Sequence, residues 1–179
     1  MSRSKSLTIR AIAVAGLAAG VWLPAAPQAS AAPTIDAACP VGAATVNYSP
    51  GVTLSPHQTD LTFTGSAAPC TSSDPSVTAA TFTGSGSGQL GCVSGAFDAT
   101  GLVTWNTGAT SSVTFSSVVD LRPSGIPVVV ANGPVTSGKF RGDAVTLTIE
   151  LIPANPLACL TTGGVTQTHG AATILMSHL

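Results

Sequence analysis

Charge and aromatic rings are both scarce in this chain: only 7% of its residues are Asp, Glu, Lys or Arg, and only 4% are aromatic. Half of the cations, Arg3, Lys5 and Arg10, fall in the first ten residues. Beyond residue 31 there remain Arg122, Lys139 and Arg141 against Asp36, Asp60, Asp74, Asp98, Asp120, Asp143 and Glu150, so 3 − 7 = −4. No basic stripe is left to neutralise phosphates, which excludes nucleic acid as a partner. Polybasic attraction to anionic lipid fails for the same reason. Helical periodicity is also missing, since no ten-residue window after residue 31 keeps apolar residues at a 3.6-residue spacing. The scarcity of charge does not imply disorder, because 44% of the residues are hydrophobic and they recur at regular intervals.

Long apolar runs are lacking too. The longest, "AIAVAGLAAGVWL", has thirteen residues, short of the about 20 a membrane-spanning helix needs. It follows the cationic "MSRSKSLTIR" and precedes "PAAPQASA", whose Ala29 and Ala31 have small-x-small spacing. That order is a secretory signal peptide, expected at 1–31 and cut after Ala31. A lipid anchor on Cys39 is not expected, because Asp36 stands where a large apolar residue is wanted and Cys39 lies well beyond the apolar run. The reading is a secreted, extracellular protein with no membrane span: a lead-in at 32–43, then a single domain at 44–179.

Four cysteines, Cys39, Cys70, Cys92 and Cys159, in a secreted chain read as two disulfides. None has C-x-x-C spacing, and His57, His169 and His178 lie far from them in sequence, so zinc ligation is disfavoured. Loop-closure entropy does not choose the pairing. It gives about 8 kcal/mol for 39–70 with 92–159, the same for 70–92 with 39–159, and about 9 for the third. Strand direction favours Cys39–Cys70 and Cys92–Cys159: a hairpin of 44–49 with 59–65 leaves Cys39 and Cys70 at one end, while a following hairpin puts Cys70 and Cys92 at opposite ends.

What is abundant is β signal. Runs rich in Val, Thr, Ile and Phe at 44–49, 59–65, 77–85, 101–105, 111–121, 126–136, 144–151 and 164–176 are separated by Gly, Pro, Ser and Asn. In "AVTLTIEL", Val145, Leu147, Ile149 and Leu151 share one face, and Thr146, Thr148 and Glu150 the other. Asn106-Thr107-Gly108 marks a hairpin. Asn132-Gly133-Pro134 fits either a hairpin or a bulge within one long strand. "TFTGS" occurs at 62–66 and 81–85, as neighbouring strands would place it. The expected fold is all-β: an antiparallel sandwich or barrel, Greek-key-like, of about eight or nine short strands.

Chemistry is harder to find. Gly86-x-Gly88-x-x-Gly91 matches a dinucleotide fingerprint literally, but no helix follows to hold a pyrophosphate. No G-x-S-x-G elbow occurs, and the acids form no local cluster such as a calcium loop needs. No catalytic, cofactor-binding or metal-ligating residue is therefore assigned. Tyr48 and Trp105 stand beside turns and are the candidates for an exposed binding surface. Arg141-Gly142-Asp143, the tripeptide that integrin-type receptors read, is expected in an exposed turn between the strands at 126–136 and 144–151.

Taken together, "NYSPGVTL", "CTSSDPSVT", "VTWNTGATSSVTF", "VTSGKFRGDAVTLT" and "PLACLTTGGVTQTHG" resemble small secreted β-rich proteins of actinobacteria, of the Streptomyces type. The resemblance implies a signal peptide, an all-β domain and an extracellular setting, and no activity. The expected function is a binding or structural module at or near the cell surface, with a cell-wall or other extracellular polymer as candidate partner. A secreted enzyme or protease inhibitor, the latter through the loop at Ala154-Asn155-Pro156-Leu157, is the alternative.

Overall fold

Period-two alternation makes a ribbon with one apolar face, and that face must be covered. In the computed structural model, which describes residues 32–121, 126–153 and 155–178, the ribbon covers it by rolling into a barrel. The expected signal segment at 1–31, Arg122 and Ala154 lie outside the described residues. The strands are β1 (Thr34–Cys39), β2 (Gly42–Val52), β3 (His57–Ala67), β4 (Thr71–Ser72), β5 (Ala80–Leu90), β6 (Gly95–Trp105), β7 (Thr110–Leu121), β8 (Pro127–Gly138), β9 (Ala144–Glu150), β10 (Ile152–Pro153) and β11 (Val165–His178). A 3-10 turn, Pro156–Leu160, precedes β11.

Pairing runs β2-β3-β5-β6-β7-β8-β9-β11, antiparallel throughout, and β11 returns to β2, so eight strands close a ring. Each of the eight apolar runs in the sequence belongs to one of them. The connections differ from the Greek-key expectation: every barrel strand pairs with its predecessor, giving an up-and-down meander. The strands are also longer than expected, from 7 residues in β9 to 14 in β11, and β1 lies within the expected lead-in. Asn132-Gly133 sits inside β8, whose register against β7 shifts at Ser112/Val113. The two "TFTGS" copies pair with each other, Thr62 with Ser85 and Ser66 with Thr81.

Inward positions carry the core: Val46, Leu61, Phe63, Phe82, Val103 and Phe115 among others. Outward positions of the same strands carry Thr62, Thr64, Thr81, Ser87 and Thr100, all exposed. This polarity is the reverse of a membrane-spanning barrel, whose apolar band faces out. Among the described residues no helix is long and apolar enough to cross a membrane.

The cysteines pair as strand direction suggested. Cys39–Cys70, Cα atoms 4.2 Å apart, fastens β1 beside the β3–β4 connection. Cys92–Cys159, Cα atoms 6.1 Å apart, joins the β5–β6 turn to the 3-10 turn. They stand at opposite ends of the barrel, and each end carries a distinct group of side chains.

Candidate functional site: a cavity beneath the pinned cap

At the Cys92–Cys159 end the barrel core is not fully filled. An apolar cavity of about 50 Å³ lies among Val46, Leu61, Phe97, Val129, Leu147 and Ile149, with the disulfide itself on its wall. Its cap consists of the β2–β3 turn, the β5–β6 turn and the 3-10 turn. Cys92 N donates to Thr53 O at 2.8 Å and Leu54 N to Cys159 O at 3.3 Å, so backbone bonds and the disulfide together pin the three turns. Asn155 starts the 3-10 turn by accepting from Leu157 N through Oδ1 at 3.1 Å. The cap leaves leucines in water: Leu157 and Leu160 are each 70% exposed, and Leu54 and Ile152 are exposed nearby.

Two polar features face this apolar space. Tyr48 and Thr168, on β2 and β11, share a hydrogen bond between Tyr48 Oη and Thr168 Oγ1 at 3.2 Å. Burial pushes the Tyr48 phenol up, so it stays neutral at ordinary pH. Ser117, inward on β7, lines the same cavity, and its buried hydroxyl has no hydrogen-bond partner among the described residues. A buried unpaired hydroxyl costs about 1–3 kcal/mol relative to a paired one. Few such groups persist in native proteins without a role or a bound partner.

Tyr48 and Trp105 are therefore not the exposed contacts their turn-adjacent positions suggested. Tyr48 is 9% and Trp105 2% exposed, because strand parity sets them on the same inward rows as Val46 and Val103. Trp105 packs into the other end, where its Nε1 donates to Ser111 Oγ at 3.0 Å and the Phe140 ring meets it edge-on at 5.3 Å. Ser111 Oγ in turn donates to Lys139 O at 2.6 Å, which anchors the β8–β9 turn.

That turn holds Arg141-Gly142-Asp143. Arg141 and Gly142 are exposed, Gly142 at φ +97°, but Asp143 is only 7% exposed. Its carboxyl points into the barrel end beside Asp36 and His178, with the three ligand-type atoms within 4.8 Å of one another. A receptor reading this tripeptide needs its carboxylate in solvent, so the turn forms as expected and the exposure does not. Asp36 lies in β1 and His178 near the end of β11. Asp36 accepts from Ser73 Oγ at 2.7 Å and contacts His178 Nδ1. The Ser73 bond, then His178, holds the Asp36 carboxyl below its usual range, and the bond to Asp36 raises the His178 imidazole. Burial first, then the Asp36 charge, pushes Asp143 up.

The contacts run serine–carboxylate–imidazole, so the Ser73 hydroxyl is held by the carboxylate and not by the base, unlike a nucleophile triad. His57 meets Ser55 O at 3.2 Å at the cavity end, and His169 is exposed on β11. The three histidines do not converge. Gly86 and Gly88 lie within β5, and β6 follows Gly91, so the glycine-rich stretch cradles no phosphate at a helix N-terminus.

Ser117 carries no signal of its own in the sequence, being one serine among many. Nor does the sequence reveal the Asp36–Asp143–His178 cluster, whose members are separated by 107 and 35 positions (143 − 36 and 178 − 143). No family model, curated protein or solved structure matches the chain.

Proposed function

We propose that this is a secreted binding protein of the actinobacterial type that accommodates a small, mainly apolar molecule in the capped end of its barrel. One observation carries the reading: an apolar cavity into which an unpaired Ser117 hydroxyl and the Tyr48–Thr168 pair project. Mostly apolar walls with a few converging polar groups are the usual make-up of a small-ligand site, and eight-stranded barrels are the size that holds one. Two disulfides support the extracellular part, because such bonds persist in oxidising compartments. With Tyr48 and Trp105 buried, recognition moves from an aromatic surface platform to the interior.

Size sets the limits. A cavity of about 50 Å³ is roughly a third of the 150 Å³ engineered cavity that takes up benzene. A ligand of more than a few heavy atoms must therefore displace part of the cap. The exposed leucines of the 3-10 turn then supply apolar surface along its path. The inhibitor alternative draws less support: Pro156–Leu160 are coiled in a 3-10 turn, not extended as a protease substrate strand would be.

The test is solvent extraction and mass spectrometry of protein purified from culture medium, paired with titration of the stripped protein with an environment-sensitive apolar dye. A co-purifying apolar compound that displaces the dye is the expected result. A protein that carries no such compound and binds no dye would overturn the reading.

A further inference from the structure

The opposite end of the barrel offers a different chemistry. Asp36, Asp143 and His178 come from β1, the β8–β9 turn and β11, the segments that meet where the N-terminal strand docks on the barrel. Asp36 falls at the register shift between Ile35 and Ala37 in the β1–β11 pairing. A bulge of this kind re-aims a side chain, here from the strand face toward the other two residues. Asp143 supplies the second observation. It is 93% buried (100 − 7) and its Oδ2 has no hydrogen-bond donor among the described residues. A carboxyl so placed, beside the Asp36 carboxylate and with the His178 imidazole within 4.8 Å, is held neutral or is offset by a nearby cation.

We propose that Asp36, Asp143 and His178 form a binding site for a zinc-class divalent cation that clips β1 to the β8–β9 turn and β11. The donor set selects the ion. One imidazole with two carboxylates suits zinc and its neighbours, whereas calcium takes six to eight oxygens and magnesium keeps mostly water. Three protein ligands leave a fourth tetrahedral position for water. Ion binding also balances charge, since two carboxylates offset one dication and the buried Asp143 oxygen gains a partner. The ligand atoms lie within 4.8 Å of one another and would settle about 3.4 Å apart to share one ion at about 2.1 Å, with the Asp36–His178 contact opening to admit it. His178 is the exposed member and can supply that movement. Cys39–Cys70 lies at this same end, so a covalent and a metal fastening would secure one strand.

The experiment is isothermal titration of untagged protein with ZnCl2, with CaCl2 and MgCl2 as parallel arms. One equivalent of zinc bound at micromolar or tighter affinity is expected. Asp143→Asn and His178→Ala should each weaken it by at least about tenfold, in line with the loss of a ligand. The double variant His57→Ala/His169→Ala, which changes the other two histidines, should bind as wild type does. Absence of zinc binding, zinc binding unaffected by both single variants, or a preference for calcium or magnesium would each overturn the proposal. His178 is exposed at a strand end, so its variant keeps the test valid should Asp143→Asn fail to fold.

Discussion

Phe63 and Gly84 face each other across β3 and β5, and the Phe63 ring fills the place where a Cβ on Gly84 would stand. The arrangement is reciprocal, because Phe82 occupies the corresponding place over Gly65. The two "TFTGS" copies thus pack each phenylalanine against the other's glycine. Gly84→Ala forces both the Phe63 ring and the Thr100 carbonyl to shift. It is expected to cost about 1–3 kcal/mol, as overpacking does. Gly163→Ala, where a Cβ meets nothing within 4 Å, should stay within about 0.5 kcal/mol of wild type. Urea unfolding of both variants decides it, and equal midpoints would refute the packing argument.

Ser117→Val is expected to raise stability and reduce ligand uptake together. Valine removes a buried hydroxyl without a partner, fills part of a cavity of about 50 Å³ and suits a strand. Cavity filling commonly adds about 0.5–2 kcal/mol, often at the expense of function. Thermal unfolding and dye titration on the same preparation read both effects. A variant less stable than wild type would show that the hydroxyl has a partner.

Much of the barrel was legible because each strand contains at least one stretch where alternation is unmistakable, as in Val145, Leu147 and Ile149. The stretch "GSGSGQL" escaped for a physical reason. Gly84, Gly86 and Gly88 are inward residues of β5, lying opposite Phe63, Leu61 and Thr59, and a glycine at an inward position erases the period-two signal. Tyr48 and Trp105 lie close to turns, yet their parity with Val46 and Val103 is what sets them inward. The site residues were beyond reach of pattern: a lone serine becomes notable only when its surroundings are known, and Asp36, Asp143 and His178 meet only through ring closure.

The Lys139–Asp74 pair gives a pH dependence. Lys139 Nζ lies 2.6 Å from Asp74 Oδ2, and Ser76 donates to Oδ1 through its hydroxyl at 2.6 Å and its N–H at 3.0 Å. Lys139, then these Ser76 bonds, holds the Asp74 carboxyl well below the usual range. A lowered carboxyl contributes stability that is complete above its unfolded value, about 3.9, and is lost as pH falls through the folded value. Lys139→Met should shift Asp74 titration upward toward the ordinary carboxylate range, measured by carbonyl-detected NMR. An unmoved midpoint would show that the serine bonds alone hold it.

Removing the pinned cap's covalent tie tests its part in binding. Cys92→Ala/Cys159→Ala opens a loop of sequence separation 67 and should cost about 2–5 kcal/mol. Dye association is expected to quicken, because the 3-10 turn then lifts with only backbone bonds to restrain it. Stopped-flow fluorescence measures the rate. An unchanged rate alongside the stability loss would mean that ligands do not enter past the cap.

Residues 165–178 pair with β2, β9, β1 and β10, and through them the ring closes. All the other barrel joints link strands consecutive in the meander, and each can zip up soon after both its strands have emerged. The joint from Ala171 back to Ala43 cannot. A chain emerging N-terminus first, from a ribosome or through an export pore, stays an open ribbon with an unpaired edge on β2 until this segment arrives. Closure of the barrel is thus withheld until β11 is delivered, and the ring strand that arrives latest is the one that seals it.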